Sequence, residues 1–285
     1  MKEIKKIGVV GAGTMGLGIA QVCAQAGYTT ILYDISASKL QKAEAAITAN
    51  LEQGVSRQKL TSADKEATLQ RLTFTGNTLE LYADVIIEAV VERLEVKQSI
   101  FKELSGINDA NTIFATNTSS ISITRIAAPV PHPERVVGMH FFNPAHIMKL
   151  VEVVSGAATA PAVAQTIEQL VLKLGKTPVL VQDSPGFIVN RVARQFYVES
   201  LKLLEEGVAD AATIDQLMRA SGFKMGPFEL MDLIGVDINY TVTASMFEAF
   251  YYDPKFRPSR VQQQKVDAGH LGRKTGKGFY TYDQD

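Results

Sequence analysis

"KIGVVGAGTMGLGIAQ", residues 6–21, decides the fold. Residues 6–10 form a short apolar run of strand type, and three glycines follow it: Gly11, Gly13 and Gly16. Helical spacing of apolar residues begins at Thr14 and ends on Gly27, a helix C-terminal signal. A strand that turns through glycines straight into a helix opens a β-α-β unit. Each glycine has its own task there. Gly11 permits the tight turn, Gly13 lets the backbone approach a pyrophosphate, and Gly16 lets helix and sheet pack closely. Thr14 and Met15 open the helix, whose N-terminus favours negative charge. The next strand, "YTTILYD" (28–34), ends on Asp34. That carboxylate comes 23 residues after Gly11, near the spacing of roughly 20 expected for an acceptor of ribose hydroxyls. The pattern points to a dinucleotide. The charge on Asp34 repels a 2′-phosphate, so NAD is expected in preference to NADP. The alternative is a tight turn that binds nothing.

Outward from this motif, strands and helices alternate. Residues 36–53 and 61–71 read as polar helices, 71–76 and 83–90 as strands, and 93–106 as a helix. Strands follow at 112–117, 135–142 and 150–154, then a helix near 161–174 and a strand at 177–183. Such alternation predicts a parallel sheet covered on both faces. After "DSPGF" (183–187) the strand signals stop, and 187–206, 211–221, 227–234, 237–250 and 258–268 read as helices. The expected class is α/β. A Rossmann-type, mostly parallel sheet domain spans 1–183, and an all-helical C-terminal domain spans 184–285. No internal repeat interrupts this reading.

Bulk properties narrow the function. The 285 residues suit about two domains at roughly 150 residues each. Hydrophobic residues make up 46% and charged residues 21%, enough apolar material for a sizeable core. The net charge of -1 offers no basic excess, so no nucleic-acid partner is expected. The single cysteine, Cys23, allows no disulfide within the chain and fits a reducing compartment. Its setting, "AQVCAQAG", reads as a packed helix face. The start "MKEIKKIGVVGAG" superficially resembles a signal peptide, but its apolar run is too short and flows into the glycine motif. No apolar stretch is long enough to span a bilayer. A cytoplasmic protein with no membrane partner and no metal site is expected.

In a doubly wound sheet, ligands sit beyond the C-terminal ends of the strands. "IIEAVVE" (86–92) and "FATNTSS" (114–120) deliver polar residues there, which makes Glu92, Lys97, Asn117 and Ser119 candidate contacts. Capping or turn-making is the alternative for each Asn or Ser. "GMHFFNPAHIMKLVEVV" (138–154) is almost wholly apolar yet carries His140 and Glu152. If its two ends pair as antiparallel strands about residue 146, the two side chains are directly opposed. Their Cβ atoms would then lie ~4.5–5.5 Å apart. A slip of one residue would break the pairing. A carboxylate so placed fixes the imidazole, and a histidine held at a strand end can act as general base for an alcohol. The other three histidines read as structural: His132 in a "PHPE" turn, His146 in the connection, and His270 in an exposed "AGHLG".

Six motifs resemble one family in its own order: "GAGTMGLGIAQV", "NTSS", "GMHFFNPAHIMKLVEVV", "DSPGFIVNRV", "MGPFELMDLIGVD" and "GRKTGKGFYTY". The likeness is to the short-chain L-3-hydroxyacyl-CoA dehydrogenases, above all the bacterial 3-hydroxybutyryl-CoA dehydrogenases, and covers essentially the whole chain. It implies NAD-dependent interconversion of (S)-3-hydroxyacyl-CoA and 3-ketoacyl-CoA. By position it makes His140 the catalytic acid/base and Glu152 its partner. Ser119 bonds the substrate oxygen near the nicotinamide, and Asn190 completes the polar set. Asp34, Glu92, Lys97, Asn117, Asn143 and Lys274 fall on the cofactor side. Asn50, Arg57 and Lys59 become candidates for the CoA moiety, although a solvated helical face explains them equally well. A homodimer through the helical domain is implied too. Ala145 and His146 depart from the family's "VPV" or "APV" after "FNP". Two other readings stay open: a non-catalytic NAD-binding protein, as lens lambda-crystallins resemble this family, and a dehydrogenase of a free hydroxy acid. Retention of Ser119, His140, Glu152 and Asn190 argues against the first.

Overall fold

The computed structural model describes residues 3–283. The chain divides after Ser184 into two compact units.

The first unit holds one eight-stranded sheet. Its strands are β1 (Lys6–Val10), β2 (Thr29–Tyr33), β3 (Leu72–Thr75), β4 (Val85–Glu88), β5 (Ile113–Thr116), β6 (Val136–Phe141), β7 (Leu150–Ser155) and β8 (Thr177–Gln182). Their spatial order is β3-β2-β1-β4-β5-β6-β7-β8. The first six run parallel, β7 turns antiparallel to β6, and β8 runs parallel to β7. The chain winds outward in opposite directions from β1, so a topological switch point lies where the glycine loop emerges. Six helices cover the sheet: α1 (Thr14–Gln25), α2 (Ala37–Ser56), α3 (Ser62–Gln70), α4 (Leu94–Ser105), α5 (Ile123–Ala127) and α6 (Pro161–Lys173).

Local chemistry sets these boundaries. The Ser36 side chain accepts from Lys39 N to start α2, and Thr61 with Asp64 forms a capping box on α3. A Cβ on Gly16 would stand 1.7 Å from the Gly11 carbonyl oxygen, so only glycine lets α1 leave β1 at this angle.

The two faces of the sheet differ. On one, Ile7, Val9, Val85, Ile87, Val137, Met139, Val151 and Val153 merge with α1, α2 and α6 into a continuous apolar core. Each fully buried aliphatic side chain contributes ~1.5–3 kcal/mol, so this face is a large source of the sheet's stability. On the other, Phe114 packs on Phe101 of α4 with ring centroids 5.4 Å apart. Gly138 lies under α5: a Cβ there would come 2.8 Å from the Ile123 Cδ1 atom. Strand alternation places Glu88, Thr116, His140 and Glu152 on this second face, near the C-terminal ends of β4 to β6 and the start of β7. Burying that polar row costs stability.

The second unit is helical: α7 (Val189–Glu205), α8 (Ala211–Ala220), α9 (Pro227–Ile234), α10 (Val236–Ala249) and α11 (Arg260–Asp267). Tyr197, Leu201, Ile214, Phe228 and Met231 form its core. The buried Asp232 accepts from the Phe279 and Tyr280 amides and the Tyr282 hydroxyl, tying the C-terminal stretch to α9. No helix among the described residues is long and apolar enough to cross a membrane. Of the described elements, α5 was missing from the sequence reading: five residues are too few to display a helical period.

Candidate active site

A cavity of about 550 Å³ opens at the switch point, lined by Gly11, Gly13, Thr14, Met15, Asp34 and Lys39, with Val96, Ile100 and Leu104 of α4 as an apolar wall. Gly11 has φ +102°, in the region that favours glycine. A Cβ on Gly13 would meet nothing within 4 Å, so that backbone borders open space. Asp34 is buried, and its two oxygens accept from Ala12 N at 2.9 Å and Ser36 N at 3.0 Å. Each carboxylate oxygen keeps acceptor capacity for a ribose hydroxyl. An apolar wall, a bare backbone at a helix N-terminus and an anchored carboxylate together fit the adenosine and pyrophosphate of NAD.

Next to it, the "NTSS" turn is wound around a single carboxylate. Glu92 Oε1 accepts from the Thr118 hydroxyl at 2.6 Å, Ser119 N at 2.9 Å and Ser120 N at 3.2 Å. Its Oε2 lies 3.1 Å from Lys97 Nζ. Burial pushes the Glu92 carboxyl up, but the Lys97 charge and the bonds from Thr118, Ser119 and Lys97 outweigh it and hold the group below its usual range. Asn117 Oδ1 accepts from Phe141 N at 2.9 Å, which ties the same turn to β6.

In the register of β6 and β7, His140 stands opposite Glu152. Their side chains meet at 2.8 Å, Nδ1 to Oε2, with the residues only 6% and 1% exposed. With an ionised Glu152, which can only accept, this contact requires the hydrogen on Nδ1. The Phe142 ring packs on the imidazole with centroids 4.5 Å apart. His146 lies in the β6–β7 connection, where burial and then the Lys176 charge disfavour its cationic form. His132 takes a left-handed conformation and pairs with Glu134. His270 is half-buried beside the end of α11, not exposed as expected, because the chain folds back there through the bridge of Gly272 with Lys277.

The remaining candidates are scattered. Asn50 donates from Nδ2 to Gln21 Oε1 at 3.1 Å, joining α2 to α1. Arg57 and Lys59 are exposed at the turn between α2 and α3, and Asn143 is exposed ahead of Pro144. Asn190 and Lys274 belong to the second unit. Asn190 lies in the first turn of α7, and Lys274 pairs with Asp237 at 2.7 Å. Sequence reasoning missed Lys39, Thr118, Thr116 and Glu88. For Glu88 a signal was present: a lone carboxylate ending the apolar run "VIIE", the same anomaly that drew attention to Glu152.

Comparison with known proteins agrees with this architecture over both units. Residues 6–184 match the family domain described as "3-hydroxyacyl-CoA dehydrogenase, NAD binding domain", and residues 186–282 match "3-hydroxyacyl-CoA dehydrogenase, C-terminal domain". The 3-hydroxyadipyl-CoA dehydrogenase of Escherichia coli K12 is 51% identical over 99% of this chain, which spans only 60% of that relative's length. The 3-hydroxybutyryl-CoA dehydrogenase of Bradyrhizobium diazoefficiens is 42% identical over 98% of this chain and 96% of its own. The crystal structure of (S)-3-hydroxybutyryl-CoA dehydrogenase from Ralstonia eutropha superposes with a TM-score of 0.96 at 41% identity, covering 99% of this chain and all of that one. With a dinucleotide cavity at the switch point and both family domains matched end to end, the chain belongs to the 3-hydroxyacyl-CoA dehydrogenase family.

Proposed function

We propose that the chain interconverts (S)-3-hydroxyacyl-CoA and 3-ketoacyl-CoA with NAD, and that His140 and Glu152 move the proton. The buried 2.8 Å contact between those two side chains carries the reading. Neutral His140 takes the C3 hydroxyl proton on Nε2, and Glu152 stabilises the imidazolium that forms. General acid–base catalysis of this kind is worth ~10²–10⁴-fold in rate. Ser119, held by Glu92, bonds the substrate oxygen. Asn190 stays in the set on its motif alone. In the reverse direction protonated His140 donates. Bound NAD supplies the acceptor for the C3 hydride. Gly11, Gly13, Thr14, Met15, Gly16 and Asp34 hold its adenosine and pyrophosphate; Glu92, Asn117, Asn143 and Lys274 complete the cofactor set.

The substrate is a short-chain thioester. The names of the Bradyrhizobium and Ralstonia relatives support a four-carbon acyl group, and that of the Escherichia relative places a six-carbon dicarboxylic group in the same test series. Arg57 and Lys59 are assigned to the CoA phosphates, with Asn50 beside them. The second unit exposes Val192, Leu217, Leu233 and Ile238, which supports a homodimer through that unit. The buried thiol of Cys23 suits a reducing compartment, and we place the chain in the cytoplasm. The deciding assay offers acetoacetyl-CoA and free acetoacetate, each with NADH and NADPH. Turnover confined to acetoacetyl-CoA with NADH is expected. Equal or faster turnover of acetoacetate would move the chain to the free hydroxy acids, and binding of NADH without turnover of either would make it a non-catalytic binder.

A further inference from the structure

Beneath the "NTSS" turn lies a charged cluster centred on Glu88, a residue that has no place in the cofactor or reaction sets proposed above. Glu88, the last residue of β4, is fully buried, and Lys97 on α4 is 1% exposed. Lys97 Nζ stands 2.7 Å and 3.0 Å from the two Glu88 oxygens and 3.1 Å from Glu92 Oε2. An ammonium has three donors, and these three acceptors take them all. Lys97 therefore has no donor left for a cofactor. The remaining capacity of Glu88 is filled as well. Its Oε1 accepts from Val90 N at 2.7 Å, and its Oε2 accepts from the Thr116 hydroxyl at 2.7 Å.

An ion pair this deep is not placed for stability, because desolvation offsets its Coulomb attraction and an apolar pair of similar volume often does as well. Its geometry matters more. Thr116 ends β5, and the turn that begins at Asn117 follows it directly. Glu88 thus grips β5 through Thr116 while aiming Lys97 at Glu92. Glu92 in turn holds the Thr118 hydroxyl and the Ser119 and Ser120 amides.

We propose that Glu88 is a positioning residue. Through Lys97 it fixes the Glu92 carboxylate, and Glu92, which accepts from both the Ser119 amide at 2.9 Å and the Ser119 hydroxyl at 3.3 Å, sets where that hydroxyl oxygen stands. The catalytic part of this statement rests on the function proposed above; the positioning part does not. Glu88 touches neither substrate nor cofactor. Removing its charge leaves Lys97 with one carboxylate in place of two, so the ammonium re-centres and the turn loosens. The effect reaches the reacting oxygen through Ser119, and it reaches the cofactor through Glu92, Asn117 and Val90, whose amide Glu88 holds and which lines the adenosine cavity.

The test compares Glu88→Gln with the parent in three measurements: amide hydrogen exchange across residues 117–121, NADH affinity, and kcat with acetoacetyl-CoA. Exchange in the turn should speed up at least tenfold. NADH affinity should fall as well, through Glu92 and Asn117, and kcat at saturating NADH should fall about tenfold or more. In a Ser119→Ala background the same substitution should remove little further kcat, because residues acting as a unit are non-additive. Unchanged exchange in the turn, or losses in kcat that simply multiply with those of Ser119→Ala, would overturn the proposal. If Glu88→Gln does not fold, the charge-neutral pair Glu88→Leu with Lys97→Met takes its place, with the same expected and contrary results. A parent that binds NADH but turns over no acyl-CoA would defeat the proposed function, and the exchange measurement would still decide whether Glu88 positions the turn.

Discussion

Asp34, at the end of β2, reaches back to accept the amide of Ala12 inside the glycine loop, at 2.9 Å. One carboxylate therefore does two things: it shapes the loop and presents acceptors to the cavity. Lys39 lines the same cavity. A cation is already in place for a 2′-phosphate, and the Asp34 charge opposes it. Wild-type protein should strongly prefer NADH over NADPH. Asp34→Ala alone should narrow that preference at least tenfold, and a second basic residue beside it should reverse it. The variant should also be less stable by ~1–3 kcal/mol, since two backbone amides lose a charged acceptor. Equal kcat/KM for the two cofactors in the wild type would sink the assignment.

Gly13 and Gly16 predict opposite failures. Gly13→Ala puts its methyl into open space, so melting temperature should hold while NADH affinity drops tenfold or more. Gly16→Ala drives a methyl into the Gly11 carbonyl, so the fold itself should lose ~3 kcal/mol or more. A thermal melt paired with an NADH titration checks both. Equal melting losses in the two variants would mean that the loop geometry is misread.

Neutralising Arg57 and Lys59 together should raise KM for acetoacetyl-CoA about tenfold and leave kcat nearly unchanged. A phosphate contact far from the reacting carbon serves ground and transition states alike. An unchanged KM would return both residues to a solvated helix face.

Burial pushes the Cys23 thiol up to about 12, against ~8.5 for a free cysteine. Only the thiolate is nucleophilic, so the folded protein should not react with a thiol reagent at neutral pH. Reactivity should appear on unfolding, in step with loss of helical signal. Fast labelling of native protein would contradict the packing described here. On the linkage side the sign is fixed: the thiol ionises more readily once unfolded, so alkaline pH above ~8.5 draws stability away as it rises toward 12.

Much of this was legible in the sequence because the signals were local or strictly periodic. The glycine loop and Asp34 sit in one β-α-β unit, and their spacing alone located the cavity. The opposition of His140 and Glu152 follows from an assumed symmetric antiparallel pairing about residue 146, and the observed pairing has that register. What stayed hidden needed tertiary contact. Lys97 reads as a cofactor candidate on the 93–106 helix, but Glu88, nine positions away on another element, takes its charge inside. Thr118 read as part of a turn, yet its hydroxyl closes on Glu92 across a separation of 26 residues. Lys39 lies on the exposed-looking start of α2 and reaches the cavity because only residues 34–36 separate the end of β2 from α2. Patterning shows which residues are buried together; it does not show which buried charges choose each other.

The central claim is that His140 and Glu152 act as one proton-transfer unit in acyl-CoA turnover. The direct measurement is kcat for acetoacetyl-CoA reduction by NADH in the wild type, His140→Gln, Glu152→Gln and the double variant, with NADH affinity followed in parallel. The account predicts a loss of ~10²–10⁴-fold for His140→Gln, a strong loss for Glu152→Gln, and a double variant little worse than His140→Gln, all with NADH affinity nearly intact. Near-wild-type turnover in Glu152→Gln, or losses that multiply in the double variant, would contradict it.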